Sequence, residues 1–130
     1  MQTLLAVAAG GAIGAGSRYL LSAQIARWFG TAFPWGTLAC NVVGALLMGL
    51  LVGISARVWP IHDPWRALLT TGILGGFTTF STFSLEAALF IERGQPLMAL
   101  LYAVASVVLC LAALLGALWL TRALPAGLPS

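Results

Sequence analysis

The sequence predicts an all-α integral membrane protein of four transmembrane helices, with a break in the third. Three observations point there. The chain of 130 residues is 61% hydrophobic and 7% charged, with a mean hydropathy of +1.03, which places it in the membrane class rather than among soluble domains. Its length accommodates about four spans of roughly 20 to 25 residues joined by short turns. The apolar pattern is interrupted at depth by Gly75-Gly76-Phe77-Thr78-Thr79-Phe80-Ser81-Thr82-Phe83-Ser84. Adjacent glycines and a run of hydroxyls suit a lipid-facing helix poorly, because irregular backbone inside a bilayer persists only where it is buried or lines a cavity.

The first span is expected over residues 3–28. Met1-Gln2-Thr3 lacks the basic region of a secretory signal and the apolar run is longer than a signal core, so a retained helix is expected. After a turn at Gly30 to Phe33, the second span covers 34–57. A turn from Val58 to Pro64 leads to the third, 65–92, and Gly94 to Pro96 leads to the fourth, 96–122. Trp28, Trp35, Trp59, Trp65 and Trp119, with Arg27, Arg57, Arg66, Arg93 and Arg122, fall near these ends, as interfacial aromatics and snorkelling cations do. The short turns make successive helices antiparallel, within a single transmembrane domain over 1–130. Small residues spaced by four, at Gly10 and Gly14, at Ala45, Gly49 and Gly53, and at Gly72 and Gly76, predict close helix packing.

Charge and motif content exclude several functions. The six cations are all arginine, set against Asp63, Glu86 and Glu92, for a net +3; they are too scattered for nucleic-acid binding. Cys40 and Cys110 lie within apolar stretches and read as buried thiols rather than a disulfide framework. With one histidine, no phosphate-binding loop and no Ser, His and acid set at depth, no enzyme is expected. His62 and Asp63 read as solvated turn residues.

Orientation is weakly specified. Arg57, Arg66 and Arg122 fall on the side of the N-terminus and Arg27 and Arg93 on the other, too small a bias for the positive-inside rule. The chain is therefore expected to insert both ways and to form an antiparallel homodimer, a one-gene counterpart of an inverted repeat. At a rise of about 1.5 Å per residue, Arg18, Asn41, Phe83, Glu86, Tyr102 and Ser106 all fall in the membrane half away from the N-terminus. One copy supplies half a polar path, and an inverted copy supplies the rest.

The chemistry of this path favours a small anion. Asn41 brings amide donors, and Thr37, Thr79, Ser81, Thr82, Tyr102 and Ser106 bring hydroxyls. Neutral donors bind an anion weakly enough to release it. Phe80 and Phe83, three apart, share a helical face, and their positive ring edges offer coordination to a compact anion; ordinary packing is the alternative. Gly75 and Gly76 are the expected breakpoint, with Thr78 close behind, and carbonyls freed there are candidate cation ligands. Arg18 and Glu86, at similar depth and of opposite charge, form a candidate pathway mouth or a structural ion pair.

At these residues the chain resembles the CrcB/Fluc family of fluoride channels. The resemblance rests on Gly10-Gly11-Ala12-Ile13-Gly14-Ala15 with Arg18-Tyr19, on Gly36-Thr37-Leu38 with Asn41 and Gly44, and on Gly75 to Ser84 followed by Glu86. It implies a dual-topology antiparallel homodimer in the cell (inner) membrane that passively exports cytoplasmic fluoride through two pores. Asn41 would be a pore donor, Phe80 and Phe83 ring-edge ligands, and Tyr102 and Ser106 part of the polar track. The carbonyls of Gly75 and Thr78 would hold a central sodium ion. The main rival, a four-helix small multidrug transporter, needs an acid in the first span, where this chain has Arg18. A non-transporting assembly subunit leaves Asn41 and the hydroxyl run without a role.

Overall fold

The computed structural model describes residues 1–58 and 60–125; Trp59, one of the expected interface markers, and residues 126–130 lie outside the described residues. Helix α1 covers Gln2–Phe29 and α2 Trp35–Arg57. The third span, Trp65–Glu92, is composite: α3 (Trp65–Ala67), a π-helical stretch (Leu68–Leu74), α4 (Gly75–Phe77) and α5 (Phe80–Glu92). Helix α6 covers Pro96–Thr121. Each expected span is met to within two residues, and all four are long and apolar enough to cross a membrane.

The helix ends follow local chemistry. Helix α6 starts at Pro96, where a missing N–H costs nothing. Helix α5 stops at Gly94, whose φ of 72° suits a residue without a Cβ. There the N–H of Gly94 donates to the Ile91 carbonyl and that of Gln95 to the Phe90 carbonyl, the paired bonds of a Schellman cap.

The interruption lies further along than the glycines suggest. Gly75 keeps a helical φ of −65° and ψ of −36°, and the chain leaves the helix at Thr78 (φ −88°, ψ 158°) and Thr79 (φ −153°, ψ 125°). Gly76 serves close approach instead: a Cβ there would meet the Gly11 carbonyl oxygen at 2.7 Å.

The small-residue spacings now have partners. Gly10 and Gly14 let α1 lie against the π-helical stretch and α4, and Gly49 and Gly53 seat α2 against Leu114, Ala117 and Thr121 of α6. Helix α2 is central, touching α1, the third span and α6. The interior is small, built around Leu38, Phe90, Ala99 and Tyr102. Many apolar side chains face outward, among them Leu4, Leu20, Leu101 and Leu115. Water would not tolerate so much exposed apolar surface; a bilayer solvates it. The protein is a multi-pass membrane protein.

Candidate functional site

An interrupted helix frees backbone groups that must find partners. Here most of the repair comes from nearby side chains. The N–H and hydroxyl of Thr78 both donate to the Leu74 carbonyl at 3.0 Å. Arg18 reaches from α1 to donate its Nε–H to the Gly76 carbonyl at 3.2 Å. Asn41 clasps Thr79 from α2: its amide nitrogen donates to the Thr79 carbonyl at 3.0 Å, and its oxygen accepts the Thr79 N–H at 2.8 Å. The Thr79 hydroxyl caps α5 by accepting the Thr82 N–H at 3.3 Å, the role an N-cap threonine fills. Among the described residues, no hydrogen bond reaches the carbonyls of Gly75, Phe77 or Thr78.

These bonds use up much of the expected donor track. The Thr78 and Ser84 hydroxyls are turned back onto carbonyls four residues earlier, and those of Thr79, Ser81 and Thr82 bond to one another. The run therefore mends its own helix first. Ser81 is exposed, and neither it nor Thr82 lines the cavity described next.

That cavity, of about 350 Å³, lies between α2, the break and α6. Asn41, Thr78, Thr79, Phe80, Phe83 and Ser106 line it, with Gly44, Met48, Cys110 and Leu114 completing the wall. None of its lining side chains is charged. Phe80 and Phe83 do share a face, their rings 5.4 Å apart and inclined by 47°. Ser106 is buried and its hydroxyl oxygen has no partner among the described residues, while Asn41 has one of its two amide hydrogens left after the clasp. Two residues with a spare neutral donor and two aromatic rings thus share one cavity wall.

One helical turn away, a second polar group forms around Glu86. Thr37 donates to one carboxylate oxygen at 2.7 Å and Tyr102 to the other at 2.7 Å. These hydroxyls, expected to face an anion, have given their single hydrogens to Glu86. Tyr102 is fully buried and caged by Phe33, Phe83 and Phe90, with centroid distances of 5.3, 5.1 and 6.2 Å. The expected pairing of Arg18 with Glu86 does not form. Arg18 turns to the break, Glu86 turns to two hydroxyls, and the ion pair among the described residues is the exposed one between Arg66 and Asp63 at 3.5 Å. Pairing depends on which helix faces each residue, and sequence depth gives only height.

Nothing in the sequence signals the shared carboxylate, since Thr37 and Glu86 are 49 positions apart. Nor is the clasp on Thr79 visible, though an asparagine at membrane depth does mark a position that needs a polar partner.

A family model described as CrcB-like protein, Camphor Resistance (CrcB), matches residues 5–118. A protein of Erythrobacter litoralis named "Fluoride-specific ion channel FluC" is 53% identical over 127 residues, covering 94% of this chain and 93% of its own. Proteins of the same name from Chelativorans sp. and Rhodospirillum centenum are 52% and 48% identical, covering 95% and 94% of this chain and 99% and 97% of their own. With the family model matching most of the chain, and relatives about half identical along nearly their whole length, the chain belongs to the CrcB-like family.

Proposed function

We propose that the protein is a fluoride-selective channel of the cell (inner) membrane that passively exports cytoplasmic fluoride, working as an antiparallel homodimer. The observation that carries this reading is the uncharged cavity lined by Asn41, Phe80, Phe83 and Ser106, where Asn41 keeps a spare amide hydrogen and the buried Ser106 hydroxyl has no partner among the described residues. Fluoride is compact and strongly hydrated, so it exchanges its water for donors more readily than for apolar walls. Ring edges stabilise it further without the fixed cation that would trap it. The names of the relatives point the same way. No residue for energy coupling is needed, because hydrogen fluoride that enters from acidic surroundings dissociates inside and the anion then runs out down its own gradient. The small multidrug reading is not favoured: α1 carries Arg18 and no acid.

The sodium reading also fits the backbone. Gly75 and Thr78 carry two of the three carbonyls at the break that no donor reaches, and Gly75 is exposed on the protomer's surface. These carbonyls would hold the ion, which would supply fixed positive charge at the dimer centre. The second copy is supported by Phe80, which lines the cavity yet is largely exposed in a single copy.

Efflux from liposomes containing the purified protein tests the reading. Fluoride is expected to leave rapidly and chloride to be retained. In the same vesicles Phe83→Ile is expected to cut fluoride flux by an order of magnitude or more without dissociating the dimer. No fluoride efflux, or equal passage of chloride, overturns the channel reading.

A further inference from the structure

A second cavity, of about 280 Å³, lies between the C-terminal end of α1, the turn before α2, and the end of α5. It shares Thr37 and Glu86 with the polar group described above, and Ser22, Thr31, Phe33 and Arg93 also line it. Arg93 follows Glu86 by seven positions, two helical turns that return to nearly the same face about 10 Å further along α5. Glu86 is half-buried and Arg93 exposed, so of these two lining residues Glu86 lies toward the interior and Arg93 toward the surface. The backbone of Arg93 is the last residue before the Schellman cap at Gly94, its own N–H held by the Leu89 carbonyl at 3.1 Å. Its guanidinium makes no hydrogen bond or ion pair among the described residues.

From this placement we infer that the second cavity is the outer basin of the anion path and that Arg93 is its electrostatic collector. The inference rests on the channel reading above. An anion arriving from water meets a carboxylate at the inner end of this basin, which repels it. A fixed cation at the outer end offsets that repulsion and raises the local anion concentration, as charged clefts do for their substrates. Arg93 is suited to collecting rather than holding because it is exposed and screened, and so offers attraction without a deep site. Glu92, next along the chain, is exposed as well but does not line the cavity.

The test is unidirectional fluoride efflux from liposomes at two ionic strengths set with an impermeant salt, about 0.01 M and about 1 M, where the screening length falls from about 30 Å to about 3 Å. Arg93→Glu is expected to reduce flux several-fold at the low ionic strength and to approach the wild-type rate at the high one. Arg93→Gln should fall between, and Arg93→Lys should match wild type. If Arg93→Glu does not fold, Arg93→Gln with Arg93→Lys carries the comparison. Loss of flux that persists equally at high ionic strength, or no loss at low, overturns the collector. Absence of fluoride flux from the wild type would overturn the channel reading instead, so the two failures are distinguishable.

Discussion

Asn41 does two things with one amide. It occupies both backbone groups of Thr79, and it keeps one hydrogen free at a residue that lines the cavity. Removing it leaves an N–H and a carbonyl unpaired in a half-buried position, each costing about 1–3 kcal/mol. Asn41→Ala is therefore expected to lower thermal stability in detergent and to cut fluoride efflux. Asn41→Asp should be no better, because it keeps an acceptor for the Thr79 N–H but sets a second oxygen against the Thr79 carbonyl. Unfolding curves for both variants against wild type check this, and an Asn41→Ala protein of unchanged stability would mean that the clasp does not hold the break. Ser106 shows the opposite economy, since its hydroxyl stays unpartnered in a buried place. Such a group is a standing cost in the protomer, which an anion accepting its hydrogen would relieve.

Between elements, the decisive contact is α1 against the third span, where helix backbones meet at glycine. A Cβ on Gly10 would stand 2.6 Å from the Leu68 carbonyl oxygen and 2.9 Å from the Gly72 Cα, whereas one on Gly11 would meet nothing within 4 Å. Gly10→Ala must push two backbones apart, at about 1–3 kcal/mol of overpacking. Gly11→Ala should leave protomer stability near the wild-type value. Thermal unfolding of the two variants checks the contrast, and equal stability would sink the assigned contact. The same contact explains what was and was not legible in the sequence. Four spans stand out because apolar runs, arginines and tryptophans mark each one, and Phe80 with Phe83 is readable from spacing alone. The site of the break is not, because Gly75-Gly76 signals either a kink or a close approach. Which one holds is decided by α1, some sixty residues away. Likewise the hydroxyls near the break look like free donors until each is matched to the carbonyl or neighbour that uses it.

For the whole molecule, the proposed inverted dimer turns on what a single copy leaves exposed. Phe80, which lines the donor cavity, is 76% exposed, and the undonated carbonyl of Gly75 belongs to an exposed residue. A second copy inverted in the membrane would cover both, and the near balance of arginines on the two sides allows both insertions. Orientation is then a lever on activity. Lysines added at exposed Gln2 and Thr3 bias every copy toward placing the N-terminus in the cytoplasm. Lysines added at exposed Glu92 and Gln95 bias every copy the other way. Each biased variant alone is expected to lose fluoride export in cells, since no inverted partner is present, and co-expression of the two should restore it. The readout is growth at a fluoride concentration that arrests cells lacking the protein, with membrane abundance measured alongside. Full resistance from either biased variant alone, with its orientation verified by labelling, would show that parallel or single copies suffice and would overturn the antiparallel assembly.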